Sequence, residues 1–243
     1  MKILFTGAAG YSGKGFIEPL SGHHDLRILD LRPIETPHEM VVGDVTDLDT
    51  ARAASKGMDA IVIGHMAPRN GDAYSEPTIP FDVNVRGTAN LFHAAVENGV
   101  KQVCLLSSIN AVDDAPGDHF YARDCPRIPR DLSDYYSLTK SLQEGIAEAF
   151  HYRQNLKVSI LRLGWVIDAD TRIDKYGRAI SKNHYALVDP RDVGEVVRRT
   201  LELPDLAFEI LYVLGTPEAD LHFDAAYTRE LLNWTPAHPF NVD

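Results

Sequence analysis

Short apolar runs alternate with longer stretches of helical period along most of the chain. The runs consist mainly of valine, isoleucine and leucine without polar alternation, a pattern typical of parallel strands that are buried on both faces. The predicted strands are residues 2–6, 26–30, 39–43, 60–64, 103–107, 157–163 and 209–215. The predicted helices lie near residues 11–21, 47–57, 81–98, 133–154 and 190–203. This order predicts an α/β fold with a doubly wound parallel sheet, the Rossmann architecture.

The alternation is lost in two segments toward the end of the sequence. Residues 164–189 are polar and irregular, and residues 216–243 contain three prolines. We predict that both segments form a small C-terminal substrate cap over one end of the sheet. Because no Pro/Gly/Ser-rich linker is present, we interpret residues 1–243 as one Rossmann-fold domain with a cofactor-binding core over about 1–163.

Composition narrows the range of partners. The 243 residues are 44% hydrophobic and 24% charged, as in an ordinary globular protein, and the net charge of −11 disfavours binding to nucleic acid or to an anionic membrane. Two cysteines, Cys104 and Cys125, do not form a disulfide framework, so we expect a cytoplasmic protein. No signal segment or membrane-spanning run is recognised, and the ten histidines show no metal-ligand spacing, so no metal site is proposed.

A glycine-rich turn follows the first predicted strand. The sequence "TGAAGYSG" places Gly7, Gly10 and Gly13 around Tyr11 and Ser12. Glycine lets a backbone turn sharply and approach a pyrophosphate, and the next helix then offers its N-terminal N–H groups to the phosphates. A strand-to-helix turn that binds nothing can have the same spacing. The strand before it and the helix after it favour a dinucleotide site that includes these five residues.

The second predicted strand ends in an acidic residue, Asp30, 17 residues beyond Gly13. A carboxylate at this position accepts hydrogen bonds from the adenosine ribose hydroxyls and repels the 2′-phosphate of NADP. Arg32 and Lys14 lie nearby and attract phosphate, but the carboxylate at the strand end should outweigh them. NAD is therefore the favoured cofactor.

Several segments occur in the order found in one large family. The sequence resembles the short-chain dehydrogenase/reductase superfamily, in its extended, NAD-dependent epimerase/dehydratase branch, over roughly residues 1 to 200. After the glycine loop, the matching segments are "GDVTD" (43–47), "IGHMAP" (63–68), "NVRGTANLF" (84–92), "LLSSINAV" (105–112), "YSLTK" (136–140) and "LRLGWV" (161–166). The resemblance implies further cofactor contacts at Asp44, Val45, His65, Met66, Ala67 and Asn84.

The resemblance also implies a catalytic set of Ser108, Tyr136 and Lys140, of which the last two also contact the cofactor. Tyrosine is a poor base at its ordinary pKa of about 10, and a lysine four residues later on the same helix face favours the phenolate. The serine would stabilise charge on the substrate oxygen. Tyr135 and Ser107 are adjacent alternatives, and a solvated Tyr–Lys pair on a helix surface is the non-catalytic interpretation.

Departures from the family pattern bear on the reaction. Sugar-nucleotide dehydratases have an Asp-Glu pair where this chain has Ile109 and Asn110, and only 103 residues follow Lys140, which favours a small substrate. In size and tail the sequence is similar to bacterial uronate dehydrogenases. That similarity implies that Asn110, with the catalytic serine, contacts the substrate and that Arg172 or Arg178 binds a substrate carboxylate. A surface salt bridge is the alternative for either arginine.

Three functions remain open at this point. The first is an NAD-dependent dehydrogenase of a small sugar or sugar acid, the second is a sugar or nucleotide-sugar epimerase, and the third is a non-catalytic NAD-binding regulator. The resemblance of residues 84–98 and 133–154 to dimer-forming helices further implies a homodimer.

Overall fold

A parallel sheet forms the centre of the molecule. The computed structural model describes residues 1–69, 74–112, 119–127, 135–182 and 184–240. Its strands are β1 (Lys2–Thr6), β2 (Asp25–Asp30), β3 (Glu39–Val42), β4 (Ala60–Ile63), β5 (Gln102–Ser108), β6 (Lys157–Leu163), β7 (Trp165–Val166), β8 (Leu187–Val188) and β9 (Phe208–Val213). Seven of them form one all-parallel sheet in the order β3-β2-β1-β4-β5-β6-β9, whereas β7 and β8 form a separate parallel pair.

Helices cover both faces of this sheet. They are α1 (Gly13–Ser21), α2 (Leu48–Ser55), α3 (Thr78–Pro80), α4 (Gly87–Glu97), α5 (Tyr135–Gln154), α6 (Pro190–Glu202) and α7 (Ala225–Leu232), with a π-helical segment over Phe81–Arg86. Apolar side chains of α1 and α6 pack with one face of the sheet, and those of α2, α4 and α5 pack with the other. The predicted doubly wound Rossmann fold is confirmed.

The differences from the predicted elements are local. The stretch predicted as one helix over residues 81–98 begins with the π-helical turn, and residues 133 and 134 of another predicted helix lie outside the described residues. The predicted cap segments contact each other, because Phe240 packs with Ile167 and Leu187. The tail also contributes Leu232 and Trp234 to the main core. The division into core and cap stays a prediction.

The strand order fixes where a ligand can bind. Going along the sheet, the connections reverse direction between β1 and β4, and in open α/β sheets the crevice at this switch point, outside the carboxyl ends of the strands, receives the ligand. The glycine loop follows β1, and the segment of His65 follows β4, so both face this crevice. No helix in the described part of the chain is long and apolar enough to span a bilayer.

Candidate active site

At two positions of the first loop, the packing of the protein itself requires glycine. Gly7 has φ +85°, and a Cβ there would lie 2.5 Å from Cα of His65. A Cβ on Gly13 would lie 1.9 Å from the carbonyl oxygen of Ala8. Gly10 differs, because its nearest neighbour would be 3.4 Å away, at the carbonyl oxygen of Gly7. The packing of the protein itself would therefore accept a side chain at Gly10. A ligand that must approach the backbone closely would be excluded by that side chain.

Asp30 is tied to the glycine loop. Its carboxylate accepts hydrogen bonds from the backbone N–H of Ala9 at 2.9 Å and of Arg32 at 3.2 Å. The guanidinium of Arg32 in turn donates to the carbonyl oxygen of Ala9 at 3.0 Å. Both charged side chains are thus held at the end of β2. On the neighbouring turn, Asp44 accepts a hydrogen bond from the N–H of Thr46 at 2.8 Å, which fixes the backbone that leads to Val45.

His65 supports the crevice as a neutral side chain. Its Nε2 lies 3.1 Å from the carbonyl oxygen of Val83, which can only accept, so Nε2 carries the proton. Nδ1 then accepts from the hydroxyl of Thr6 at 3.0 Å. Burial and the nearby charge of Lys140 lower the pKa of His65 to about 4. The side chain therefore holds β4 against β1 and leaves its backbone to face the crevice.

Asn84 lies behind the crevice wall. Its side chain is fully buried, its Oδ1 accepts from the N–H of Ala67 at 2.7 Å, and its Nδ2 donates to Oγ1 of Thr139 at 3.0 Å. Both ends of the amide are therefore used inside the protein. This geometry favours a role in positioning the wall and α5 over direct cofactor contact.

The two serines at the end of β5 have different partners. Ser107 donates to the carboxylate of Glu144 at 2.6 Å, while the hydroxyl of Ser108 accepts from the N–H of Asn110 at 3.2 Å. Glu144 is fully buried and is bound by two nitrogens of the equally buried Arg162, at 3.0 and 3.2 Å. Both serines line the crevice, but the hydroxyl of Ser107 is already engaged in an internal polar network.

Lys140 is a buried cation one helical turn after Tyr136. The side chain is 5% exposed, and Nζ donates to the carbonyl oxygen of Leu106 at 2.8 Å. Burial lowers the pKa of Lys140 to about 8, against the opposing effect of the Glu144 carboxylate. Since this value is above 7, the ammonium form predominates at neutral pH.

One cavity of about 1060 Å³ collects most of the predicted site. Its walls include the predicted residues Gly7, Gly10, Tyr11, Ser12, Gly13, Asp30, Asp44, Val45, His65, Met66, Ala67, Ser108, Asn110, Tyr136, Lys140 and Arg178. Asn84 and Arg172 do not line it. The cavity runs from the carboxylate of Asp30, past the glycine loop, to the end of β5.

The cap segment separates the two candidate arginines. Arg172 adopts a left-handed backbone conformation (φ 53°), and its Nε donates to the carbonyl oxygen of Ile180 at 3.3 Å. Arg178 lies at the cavity wall, where its Nε donates to the carboxylate of Asp174 at 2.7 Å. The hydroxyl of Tyr11 donates to the carbonyl oxygen of Ile173, so this segment reaches over the glycine loop.

Sequence reasoning missed part of the wall. Arg69, Lys175 and Tyr176 line the cavity, and the guanidinium carbon of Arg69 lies 4.8 Å from the ring centroid of Tyr136. Arg69 comes four residues after His65 and directly follows the segment 63–68 that resembles the family, and its charge was the available signal. Nothing in the local sequence indicates that it meets a residue of α5.

Both the sequence and the structure are similar to those of known proteins. Residues 3–224 match the family model described as "NAD dependent epimerase/dehydratase family". The chain is 30% identical to an NAD-dependent glucose-6-phosphate dehydrogenase of Haloferax volcanii, over 96% of this chain and 92% of that one. It is 29% identical to an L-arabinose 1-dehydrogenase (NAD(P)(+)) of the same organism, over 84% of each. The structure also resembles that of a mutant uronate dehydrogenase from Agrobacterium tumefaciens complexed with NAD, with a TM-score of 0.80, 22% identity and coverage of 98% and 85%.

Proposed function

The chain belongs to the NAD-dependent epimerase/dehydratase family, and from that membership we propose that it oxidises a small sugar or sugar acid with NAD, using Ser108, Tyr136 and Lys140. It is an enzyme of the NAD-dependent sugar dehydrogenase or epimerase kind, and NAD is its cofactor. The observation that carries the proposal is the single cavity that joins Asp30, Gly10 and the three proposed catalytic residues.

The cavity fits a dinucleotide. The protein's own packing does not require glycine at position 10, so the missing side chain leaves room for a ligand. Asp30 presents a carboxylate at the position suited to ribose hydroxyls. The remaining predicted cofactor contacts lie along the same walls, apart from Asn84, which we propose acts by holding Ala67 in place. When bound, NAD supplies the acceptor for a hydride from the carbinol carbon of the substrate.

The side chains of the proposed site can accept the proton that the substrate hydroxyl loses. We assign Tyr136 as the base that takes the substrate hydroxyl proton, because Lys140 lies four residues later on α5, where Cβ atoms are about 5–6 Å apart. A buried ammonium at that distance stabilises the phenolate. Ser108, at the end of β5, would donate a hydrogen bond to the substrate oxygen as negative charge develops there.

The cavity wall near Arg178 suits a substrate that is an anionic sugar. Arg178 lies at the wall and is oriented by Asp174, whereas Arg172 does not line the cavity and its Nε donates to the carbonyl oxygen of Ile180. We therefore propose Arg178 as the carboxylate-binding residue, with Asn110 as a further substrate contact. The departure from the dehydratase pattern at Ile109 and Asn110 speaks against elimination. Homodimer formation and a cytoplasmic location stay predictions.

The test is NADH formation with NAD and a panel of sugars that contains arabinose, glucose 6-phosphate, glucuronate and galacturonate. We expect absorbance to rise with at least one sugar, to be lost in Tyr136→Phe, and to fall in Arg178→Met only with the anionic sugars. Sugar isomerisation without net NADH would instead indicate the epimerase. NAD binding without turnover of any sugar would indicate the regulator and refute the dehydrogenase.

A further inference from the structure

A cation other than Lys140 contacts the ring of the proposed catalytic tyrosine. The guanidinium carbon of Arg69 lies 4.8 Å from the ring centroid of Tyr136 and 5.1 Å from that of Tyr74. Both distances are within the range of about 6 Å in which a cation interacts with the face of an aromatic ring. Arg69 belongs to the loop after β4, so it approaches Tyr136 from a different element than Lys140 does.

Tyr74 holds this guanidinium in a defined place. The side chain of Tyr74 is buried, at 6% exposure, and its hydroxyl donates to the carbonyl oxygen of Ala67 at 2.7 Å. Ala67 is itself held by Asn84 through its backbone N–H. Arg69 is therefore attached to a fixed part of the cavity wall, and its position over Tyr136 does not depend on a single flexible contact.

We propose that Arg69 is a positioning residue for Tyr136, holding the ring by its face and favouring the ionised form of the phenol. This inference rests on the proposed function, in which Tyr136 is the base. Lys140 acts from one helical turn away on α5, and Arg69 acts across the cavity from the loop after β4. The two cations together lower the pH at which Tyr136 can accept a proton from the substrate.

Other charged and titratable groups line the same cavity. They are Tyr11, Asp30, Arg32, Asp44, His65, Lys140, Asp174, Lys175, Tyr176 and Arg178. His65 is neutral at physiological pH because burial lowers its pKa to about 4. Asp174 is paired with Arg178, so their charges largely offset each other. The Arg69 guanidinium lies over the face of the Tyr136 ring itself.

The direct test is the pH at which Tyr136 ionises. The protein contains 10 tyrosines, so we would label tyrosine with carbon-13 at Cζ and assign the Tyr136 resonance by its loss in Tyr136→Phe. Arg69→Met should raise the ionisation midpoint of Tyr136 by about one pH unit or more, as expected for removal of an opposite charge within about 4–6 Å. Arg69→Lys should restore most of that shift, because it keeps the charge.

The matched control is Arg153→Met. Arg153 is exposed on the same helix, 17 residues after Tyr136, so it lies about 25 Å away at 1.5 Å per residue and changes the net charge equally. A midpoint that stays the same in Arg69→Met, or moves as much in Arg153→Met, would overturn the inference. If Arg69→Met fails to fold, Arg69→Gln supplies the neutral variant.

The wild-type midpoint is a further test, because a value at or above the ordinary pKa of tyrosine, about 10, also overturns the inference. These readouts need no turnover. An active Tyr136→Phe enzyme would refute the proposed role of Tyr136, whereas an unchanged midpoint refutes only the role of Arg69.

Discussion

The buried charge of Lys140 should oppose folding at neutral pH and make the stability of the protein depend on pH. Burial lowers its folded-state pKa from the ordinary 10.5 to about 8. Because the unfolded chain binds this proton more tightly than the folded one, the charged lysine opposes folding at low pH. This cost is fully present below pH 8 and is relieved as the pH rises from about 8 to about 10.5.

The magnitude follows from the shift. At 1.36 kcal/mol for each pKa unit, the cost is about 3 kcal/mol at pH 7 and about 1 kcal/mol at pH 9.5. Lys140→Met removes this pH-dependent cost and also loses the hydrogen bond from Nζ to the carbonyl oxygen of Leu106, which is a pH-independent loss of about 1–3 kcal/mol. The prediction therefore concerns how the difference in unfolding free energy between the wild type and Lys140→Met changes with pH.

Urea unfolding of both proteins at several pH values between 7 and 9.5 measures this difference. We expect the stability of Lys140→Met relative to the wild type to fall by about 2 kcal/mol across that range, and the variant to be inactive at every pH. Lys101→Met, at an exposed position, is the matched control and should show a much weaker pH dependence. A difference for Lys140→Met that stays constant within about 0.5 kcal/mol would refute the reasoning.

Two further predictions concern the glycine loop and the buried ion pair. Gly10→Ala should fold normally and weaken NAD binding at least about tenfold in a calorimetric titration, because the added methyl faces the cavity. The control is Gly22→Ala, whose added methyl would have nothing within 4 Å, and it should bind NAD as the wild type does. Equal affinities would remove the support that Gly10 gives to the cofactor site. Glu144→Leu should cost about 3–5 kcal/mol in urea unfolding, because it leaves Arg162 charged and buried, and the double variant Glu144→Leu/Arg162→Met should recover most of that loss. No recovery in the double variant would contradict this account of the pair.

Much of the fold was predictable because its signals are local. Strands buried between two layers of helices have no polar face, so their apolar runs are continuous, and the runs at 2–6 and 157–163 match β1 and β6 without adjustment. The glycine loop was predictable for a related reason. The conformation of Gly7 and the close approach at Gly13 admit no side chain, so the fold leaves these constraints in the sequence.

The site was only partly predictable, since the missing information lies in contacts between distant residues. Neighbouring letters such as Ser107 and Ser108 look alike in the sequence, and the partner that distinguishes them, Glu144, is 37 residues away. The choice between Arg172 and Arg178 likewise depends on how the cap segment turns back over the glycine loop.

The sequence by itself determined the doubly wound fold, because periodicity and glycine spacing report local backbone requirements. Its resemblance to a known family, carried by the order of several motifs, indicated the family, and the carboxylate of Asp30 favoured NAD as the cofactor. The tertiary structure alone decided which side chains meet in the cavity. Arg69 and Tyr136 are 67 residues apart and belong to different elements, and only the packing of α5 against the loop after β4 brings the guanidinium over the ring. A sequence pattern describes the neighbours of a residue along the chain, whereas the charge that a phenol at a cavity wall experiences depends on its neighbours in space.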